Sequence, residues 1–440
     1  MKRRVSITGI GLVSGLGTGL DALWQGLLSG QSSIQTITAF DASGFPCQVA
    51  AASPTAQIKD FVPKSYRKAT KVMARDIELA VIAADLAARH AGLVTPANCE
   101  DTNTAGRTYE AERTACHIGA SLIAAELDEL TYALNKSAQT PGMEGKFDIH
   151  HWGREGMQNL TPLWLLKYLP NMLACHVTIV HDSRGPSNTI TCAEASGGLS
   201  LGESLRVIQR GSADCGFCGG ATAKLNPMAY IREVFTGRLT TENANPTSAV
   251  RPFDTSAGGM VIGDGGSILI LEANETLEKR GGKAVAEVAG FGASQSLNRA
   301  NRNTTPTADG RGVRLAIEAA LRDAGISASE IDFIIPNGLG HAASDQAEAA
   351  ALRSVFGEGL AQVPVLSPKA AIGNTVAGSA AMDVGIAAKC LAEGVLPPIL
   401  NRSSPLPGFG ATQSKRAPQY ALCVSSGLCG QNAAVVLKKA

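Results

Sequence analysis

Aromatic residues are scarce in this chain, at 5% of 440. No run approaches the roughly 18 consecutive apolar residues of a membrane-spanning helix. Charge is nearly balanced, with a formal net charge of +1, so nothing draws the whole chain to nucleic acid or an anionic surface. The N-terminus, Met1-Lys-Arg-Arg-Val-Ser-Ile-Thr, has no apolar core of a signal peptide, and the cytosol is the expected location. Cys215-Gly-Phe-Cys218 has redox or metal spacing, but no second Cys or His pair stands at zinc-site distance. The ten cysteines are scattered, several inside apolar runs, as expected of reduced core thiols. Gly9-Ile-Gly11 lacks the third glycine of a dinucleotide fingerprint, since position 14 is Ser14, and no acidic residue follows at the required point. No cofactor or metal is expected.

What is present is glycine, 48 residues of it, within a 45% apolar and 18% charged composition. That balance belongs to a globular protein with many tight turns, long enough for one large domain or two fused ones. Strand and helix patterns alternate, which argues for an α/β fold.

The chain is organised around Gly185–Gly202. A Gly-Pro turn, a short β-forming run at Thr189-Ile-Thr191, and small residues from Ala193 to Gly198 precede a helical pattern carrying Leu201, Leu205 and Ile208. This reads as strand, tight elbow and buried helix. An elbow before a helix N-terminus suits a nucleophile, because the helix end favours negative charge. Here the elbow residue is Glu194.

The same plan recurs. Ala284–Ala293 ends in Gly-Phe-Gly, echoing Val5–Gly11. Val363–Leu366, Lys369 and the small-residue turn Gly373–Ala380 echo the elbow. An internal duplication is expected, with halves at 1–265 and 266–440. A polar stretch at 99–160, with a helix near Leu122–Leu134 and a Pro/Gly break at 141–145, reads as an insertion at the surface or a subunit contact. Asp21 is the expected N-cap of a helix ending at Leu28. Lys64, Arg67, Lys68, Lys71 and Arg75 have spacings that place them on one helical face, a candidate contact for an acidic partner.

Five motifs in order carry a family resemblance. They are Val5-Ser-Ile-Thr-Gly-Ile-Gly-Leu-Val-Ser, Arg184-Gly-Pro-Ser, Arg251-Pro-Phe-Asp with Gly263-Asp-Gly-Gly, Asp345-x-x-Glu348, and Ser367-x-Lys369-x-x-x-Gly373. The chain resembles the elongating β-ketoacyl-acyl carrier protein synthases of the thiolase superfamily. That resemblance implies a thiolase-like, five-layered α-β-α-β-α fold, usually dimeric. It also implies a site of one cysteine, two histidines and a lysine that condenses an acyl thioester with malonyl-carrier protein.

Counting from Gly185 and back from Gly202, the cysteine position is Glu194. The histidine positions are Asn337 and Asn374, and only Lys369 remains. The family's Gly-Phe-Gly-Gly gate appears as Gly427-Leu-Cys-Gly430. Cys192 and His341 are the nearest residues that could substitute, in a shifted register. A carboxylate forms no acyl-thioester, and asparagine carries no proton at neutral pH. Glu194 is expected to be held by the helix N-terminus, Lys369 and the two asparagines. The reading is a degenerate ketosynthase resembling chain-length factors. It would pair with an active ketosynthase, shape its acyl tunnel and meet acyl carrier protein through Lys64, Arg67, Lys68 and Lys71. Two alternatives are an independent enzyme using Glu194 and Lys369 on a thioester, and a non-catalytic acyl-binding homodimer.

Overall fold

The computed structural model describes residues 2–99, 106–139, 142, 145–298 and 306–440. The first-half strands are β1 (Val5–Ser14), β2 (Gly17–Thr18), β3 (Gln35–Thr36), β4 (Val49–Ala51), β5 (Thr114–Gly119), β6 (Ser187–Ile190), β7 (Cys215–Thr222), β8 (Ile262–Gly263) and β9 (Gly265–Ala273). Later come β10 (Ala286–Gln295), β11 (Phe333–Ile335), β12 (Tyr420–Ser426) and β13 (Gln431–Lys439). Helices α1 (Leu20–Leu28), α2 (Arg75–His90), α3 (Leu127–Ser137), the single turn α4 (Ile149–His151), α5 (Met172–His181), α6 (Ser196–Gln209), α7 (Pro227–Val234) and α8 (Asn274–Lys279) precede β10. They are followed by α9 (Arg311–Ala324), α10 (Ala342–Phe356), the single turn α11 (Lys369–Ile372) and α12 (Ser379–Glu393).

The long sheet runs β11-β12-β13-β10-β1-β9-β7-β5-β6. Its two wings meet only at Ser6↔Glu287 and Ile7↔Ala286, so β1-β9-β7-β5-β6 and β10-β13-β12-β11 are two sheets joined at a narrow seam. On the second wing the expected strand at Val363–Leu366 is reduced to a single parallel bridge, Ile334↔Val365.

Alternation along the strands builds five layers. Ile268 and Ile270 join the outer core under α2 and α5, while Leu269 and Leu271 face the centre. Ala434 and Val436 pack against α9 and α10, and Val435 and Leu437 face the centre. Between the sheets lie α6, with Leu201, Leu205 and Ile208, and α12, with Met382, Val384 and Ile386. Both faces of these strands are buried, which is why they read as unbroken apolar runs.

Cys215 and Cys218 both lie on β7, three residues apart, and so point to opposite faces: Cys215 packs under α2 and Cys218 under α6. They cannot pair, and all ten cysteines are free.

Several local expectations are corrected. Gly19, not Asp21, is the N-cap of α1. The helix expected near Leu122–Leu134 begins at Leu127, and residues 141, 143 and 144 of the Pro/Gly break lie outside the described residues. The basic segment is not one helix. Lys64–Tyr66 and Ala69–Val72 are separate 3-10 turns, and α2 starts at Arg75. Pro63 precedes the first turn, and the Thr70 hydroxyl donates to the Arg67 carbonyl at 2.8 Å, competing with helical pairing. Lys64, Arg67, Lys68 and Lys71 are exposed. Arg75 instead binds Glu78 and the Pro54 carbonyl.

Candidate active site

Two elbows meet at the centre of the molecule. In the first, Ala193 has φ +48° and opens a 3-10 turn, Ala193–Ala195, that feeds α6. In the second, Val376 has φ +42° and opens the turn Val376–Gly378 that feeds α12. Left-handed backbone at a residue with a side chain costs about 1–2 kcal/mol. Keeping it twice, at matching places, marks these turns as built features. The small residues let the helix starts touch: a Cβ on Gly197 would lie 2.9 Å from the Ala377 carbonyl oxygen.

Glu194 sits in the first turn with no solvent exposure. Its Oε1 lies 2.9 Å from Arg238 Nη2 in an ion pair and accepts from Asn374 Nδ2 at 3.1 Å. Among the described residues no backbone N–H donates to this carboxylate, and Oε2 has no partner. The expected helix N-terminus contact is therefore replaced by a side-chain cation. Arg238 is itself buried. It lies four residues beyond α7, in Gly237-Arg-Leu-Thr, where no local pattern distinguishes it from a surface arginine. The one available signal was the requirement of a buried carboxylate for a counter-ion.

The Asn374 amide is oriented from both sides. Its Oδ1 accepts from Val376 N at 3.0 Å and from Ser379 Oγ at 2.9 Å, so Nδ2 turns to Glu194. Asn337 does not reach Glu194 through any hydrogen bond. Its Nδ2 donates to the Ser426 carbonyl at 3.3 Å and, among the described residues, its Oδ1 has no partner.

Asp345 and Glu348 set the position of Asn337. Glu348 accepts from Asn337 N and Gly338 N at 2.7 and 2.9 Å. Asp345 accepts from Leu339 N, Gly340 N and Phe253 N at 2.9–3.1 Å. The Asp-x-x-Glu pair is thus a clamp that fixes the 337–340 loop and ties it to Arg251-Pro-Phe-Asp. Burial pushes these carboxyls up, Asp345 to about 7 and Glu348 to about 8, against the pull of their backbone donors.

Lys369 is paired elsewhere than expected. Its Nζ lies 2.7 Å from Asp383 Oδ2 on α12, and both side chains are buried. Burial pushes Asp383 up to about 6 while Lys369 pulls it down. The lysine's charge is met by Asp383, a residue sequence reasoning missed, and not by Glu194.

The substitute pair does not assemble either. His341 Nδ1 contacts Ser344 Oγ at 3.0 Å, and burial followed by Arg238 holds the ring below its ordinary value. The Cys192 thiol is pushed up, by burial and then by Cys429. That lowers its thiolate fraction and disfavours it as the acyl-accepting nucleophile of a condensation. The space beside Arg238 and Asn337, bounded by Leu339, Ser426 and Leu428, has room for about one water molecule. Such a centre presents an amide donor and a carboxylate paired with a cation.

The family model "Beta-ketoacyl synthase, N-terminal domain" matches residues 2–276, and "Beta-ketoacyl synthase, C-terminal domain" matches 285–403. The chain belongs to the β-ketoacyl synthase family. Among curated β-ketoacyl synthases, 3-oxoacyl-[acyl-carrier-protein] synthase 2 of Vibrio cholerae is 31% identical, over 100% of this chain and 99% of its own length. The Synechocystis protein of the same name is 29% identical over 100% and 98%. Among solved structures, the ishigamide ketosynthase/chain length factor superposes with a TM-score of 0.81 at 28% identity, covering both chains fully. A type II PKS acyl-carrier protein in complex with its ketosynthase bound to the hexaketide gives 0.81 at 25%, again with full coverage. The fold is the thiolase-like fold of fatty-acid and polyketide ketosynthases.

Proposed function

We propose that this chain is a non-condensing ketosynthase subunit of the chain-length-factor type. It pairs with an active ketosynthase and helps shape the acyl tunnel at their shared interface. One observation carries the reading: the nucleophile position holds Glu194, and that carboxylate is committed to Arg238. A condensing site needs a nucleophile and donors that stabilise developing oxyanions. Here Glu194 stands in place of the first, and the space beside Arg238 and Asn337 has room for about one water molecule.

Two surface features support a partner. Among the described residues, strand β6 pairs only with β5 and forms the rim of the sheet, leaving backbone groups open to pairing. Elsewhere in the first half, Leu122, Tyr132, Ile149, Leu163, Leu165 and Ile179 are each more than half exposed, apolar side chains of the kind that contact surfaces carry. An independent enzyme using Glu194 with Lys369 is disfavoured, because Lys369 is neutralised by Asp383.

The test is an assay of the pure chain with malonyl- and acyl-carrier protein, following carbon dioxide release and ketoacyl product by mass. Neither is expected. Addition of an active ketosynthase that forms a heterodimer with it is expected to give product, with the double variant Glu194→Leu/Arg238→Met, which removes both buried charges, supporting the partner as well as the wild type does. Condensation by the pure chain would overturn the reading, and acyl binding by a homodimer that refuses any ketosynthase would favour the non-catalytic acyl-binding homodimer.

Acyl carrier protein is the proposed visitor to this complex, received on Lys64, Arg67, Lys68 and Lys71. The four exposed cations concentrate positive charge on a molecule of net charge +1, which favours an acidic partner locally. Reversing Arg67 and Lys68 together is expected to weaken carrier-protein binding about tenfold, because two attractions at the rim become repulsions. Titration calorimetry at low salt reads this, and unchanged affinity removes these residues from the docking surface.

A further inference from the structure

The gate segment Gly427-Leu-Cys-Gly430 lies directly on the elbow. A Cβ on Gly427 would come within 2.4 Å of the Cys192 carbonyl oxygen, so the two backbones are in contact there. The segment is a tight turn: Gly427 N donates to Gln431 O at 2.7 Å and Gly430 N to Gly427 O at 2.9 Å. Two residues past the contact stands Cys429, exposed, at a position where the family gate has glycine. Below it stands Cys192, half-buried, two residues before Glu194. Cys429 adds to burial in pushing the Cys192 thiol up, in keeping with the contact between the two segments. Six of the ten cysteines are buried, and Cys99 and Cys175 belong to other segments.

We propose that Cys192 and Cys429 form a reversible disulfide under peroxide, stapling the gate turn to the elbow. The exposed Cys429 takes an oxygen from hydrogen peroxide to give a sulfenic acid, and one water leaves. The Cys192 sulfur then attacks that sulfur, the S–O bond breaks, and a second water leaves. Two thiols are oxidised and one peroxide is reduced. Leu428, between the two contacts, borders the space beside Arg238 and Asn337, so the staple would hold that space shut. The glycines at 427 and 430, the latter at φ +84°, give the turn freedom to bring the sulfurs into the narrow geometry a disulfide requires.

The full-length protein, reduced and freed of reductant, would be treated with hydrogen peroxide and mapped by non-reducing peptide mass spectrometry. The expected result is a Cys192–Cys429 cross-linked peptide two hydrogens lighter than the sum of its parts. The thiol titre under denaturing conditions should fall from ten to eight, recover with dithiothreitol, and stay at about nine in Cys429→Gly, which has one thiol fewer to begin with. Slowed amide exchange across 427–430 should accompany the bond. Oxidation of Cys429 to sulfinic acid with Cys192 still free, or cross-linking between any other pair, overturns the proposal.

Discussion

Arg238→Met is expected to destabilise the protein by about 3–5 kcal/mol, the usual cost of stripping one partner from a buried ion pair. Side-chain exposure is 5% for Arg238 and 0% for Glu194, so water cannot replace the lost guanidinium without opening the core. The neighbouring site groups cannot take over. Lys369 is held by Asp383, and Asn374 offers only one neutral donor at 3.1 Å. The complementary expectation separates charge from packing. Glu194→Leu in the Arg238→Met background removes the orphaned carboxylate, and the double variant should recover to within about 1 kcal/mol of wild type. Urea unfolding followed by circular dichroism measures both. If Arg238→Met alone stays within about 1 kcal/mol, the ion pair is not what holds the elbow, and Glu194 is not committed to it.

This pair also shows where sequence reading stops. The position of Glu194 was legible because the elbow is local: glycines at fixed distances on both sides set the count. What Glu194 bonds to was not, because its partners arrive from separate stretches of chain, Arg238 after α7 and Asn374 before α12. Lys369 looked like the counter-ion because it is the surviving family residue, yet its nearest carboxylate lies one helix away in Asp383. Asp345 and Glu348 were legible as a motif but not as a device. Only the fold shows that they accept five backbone N–H bonds and so fix the Asn337 loop and the strip at Phe253. The basic segment failed for a different reason. Spacings of three and four are necessary for one helical face, but Pro63 and the Thr70 hydroxyl break the backbone into short turns while leaving the charges exposed.

Gly11→Ala and Gly292→Ala are each expected to cost about 3 kcal/mol or more, the upper range for forcing atoms into a filled core. The two glycines were legible as an echo, Gly-Ile-Gly and Gly-Phe-Gly, but their purpose is steric. A Cβ on Gly11 would lie 2.0 Å from the Ala83 carbonyl oxygen of α2, and one on Gly292 would lie 2.1 Å from the Ala316 carbonyl oxygen of α9. Gly9 and Gly290 meet Ala87 and Ala320 in the same way, and both strands carry a register shift beside them. Each obstructing atom is helix backbone, which cannot rotate aside, so the whole helix must lift from the sheet. Gly44→Ala is the control, since nothing lies within 4 Å of its Cβ, and it should stay within about 0.5 kcal/mol. Matching losses of stability at 11 and 292 would tie the two halves to one packing rule inherited by duplication. A loss at one site alone would mean that the second half has repacked α9 independently. No loss at either would mean that the helices lie farther from the strands than these distances require.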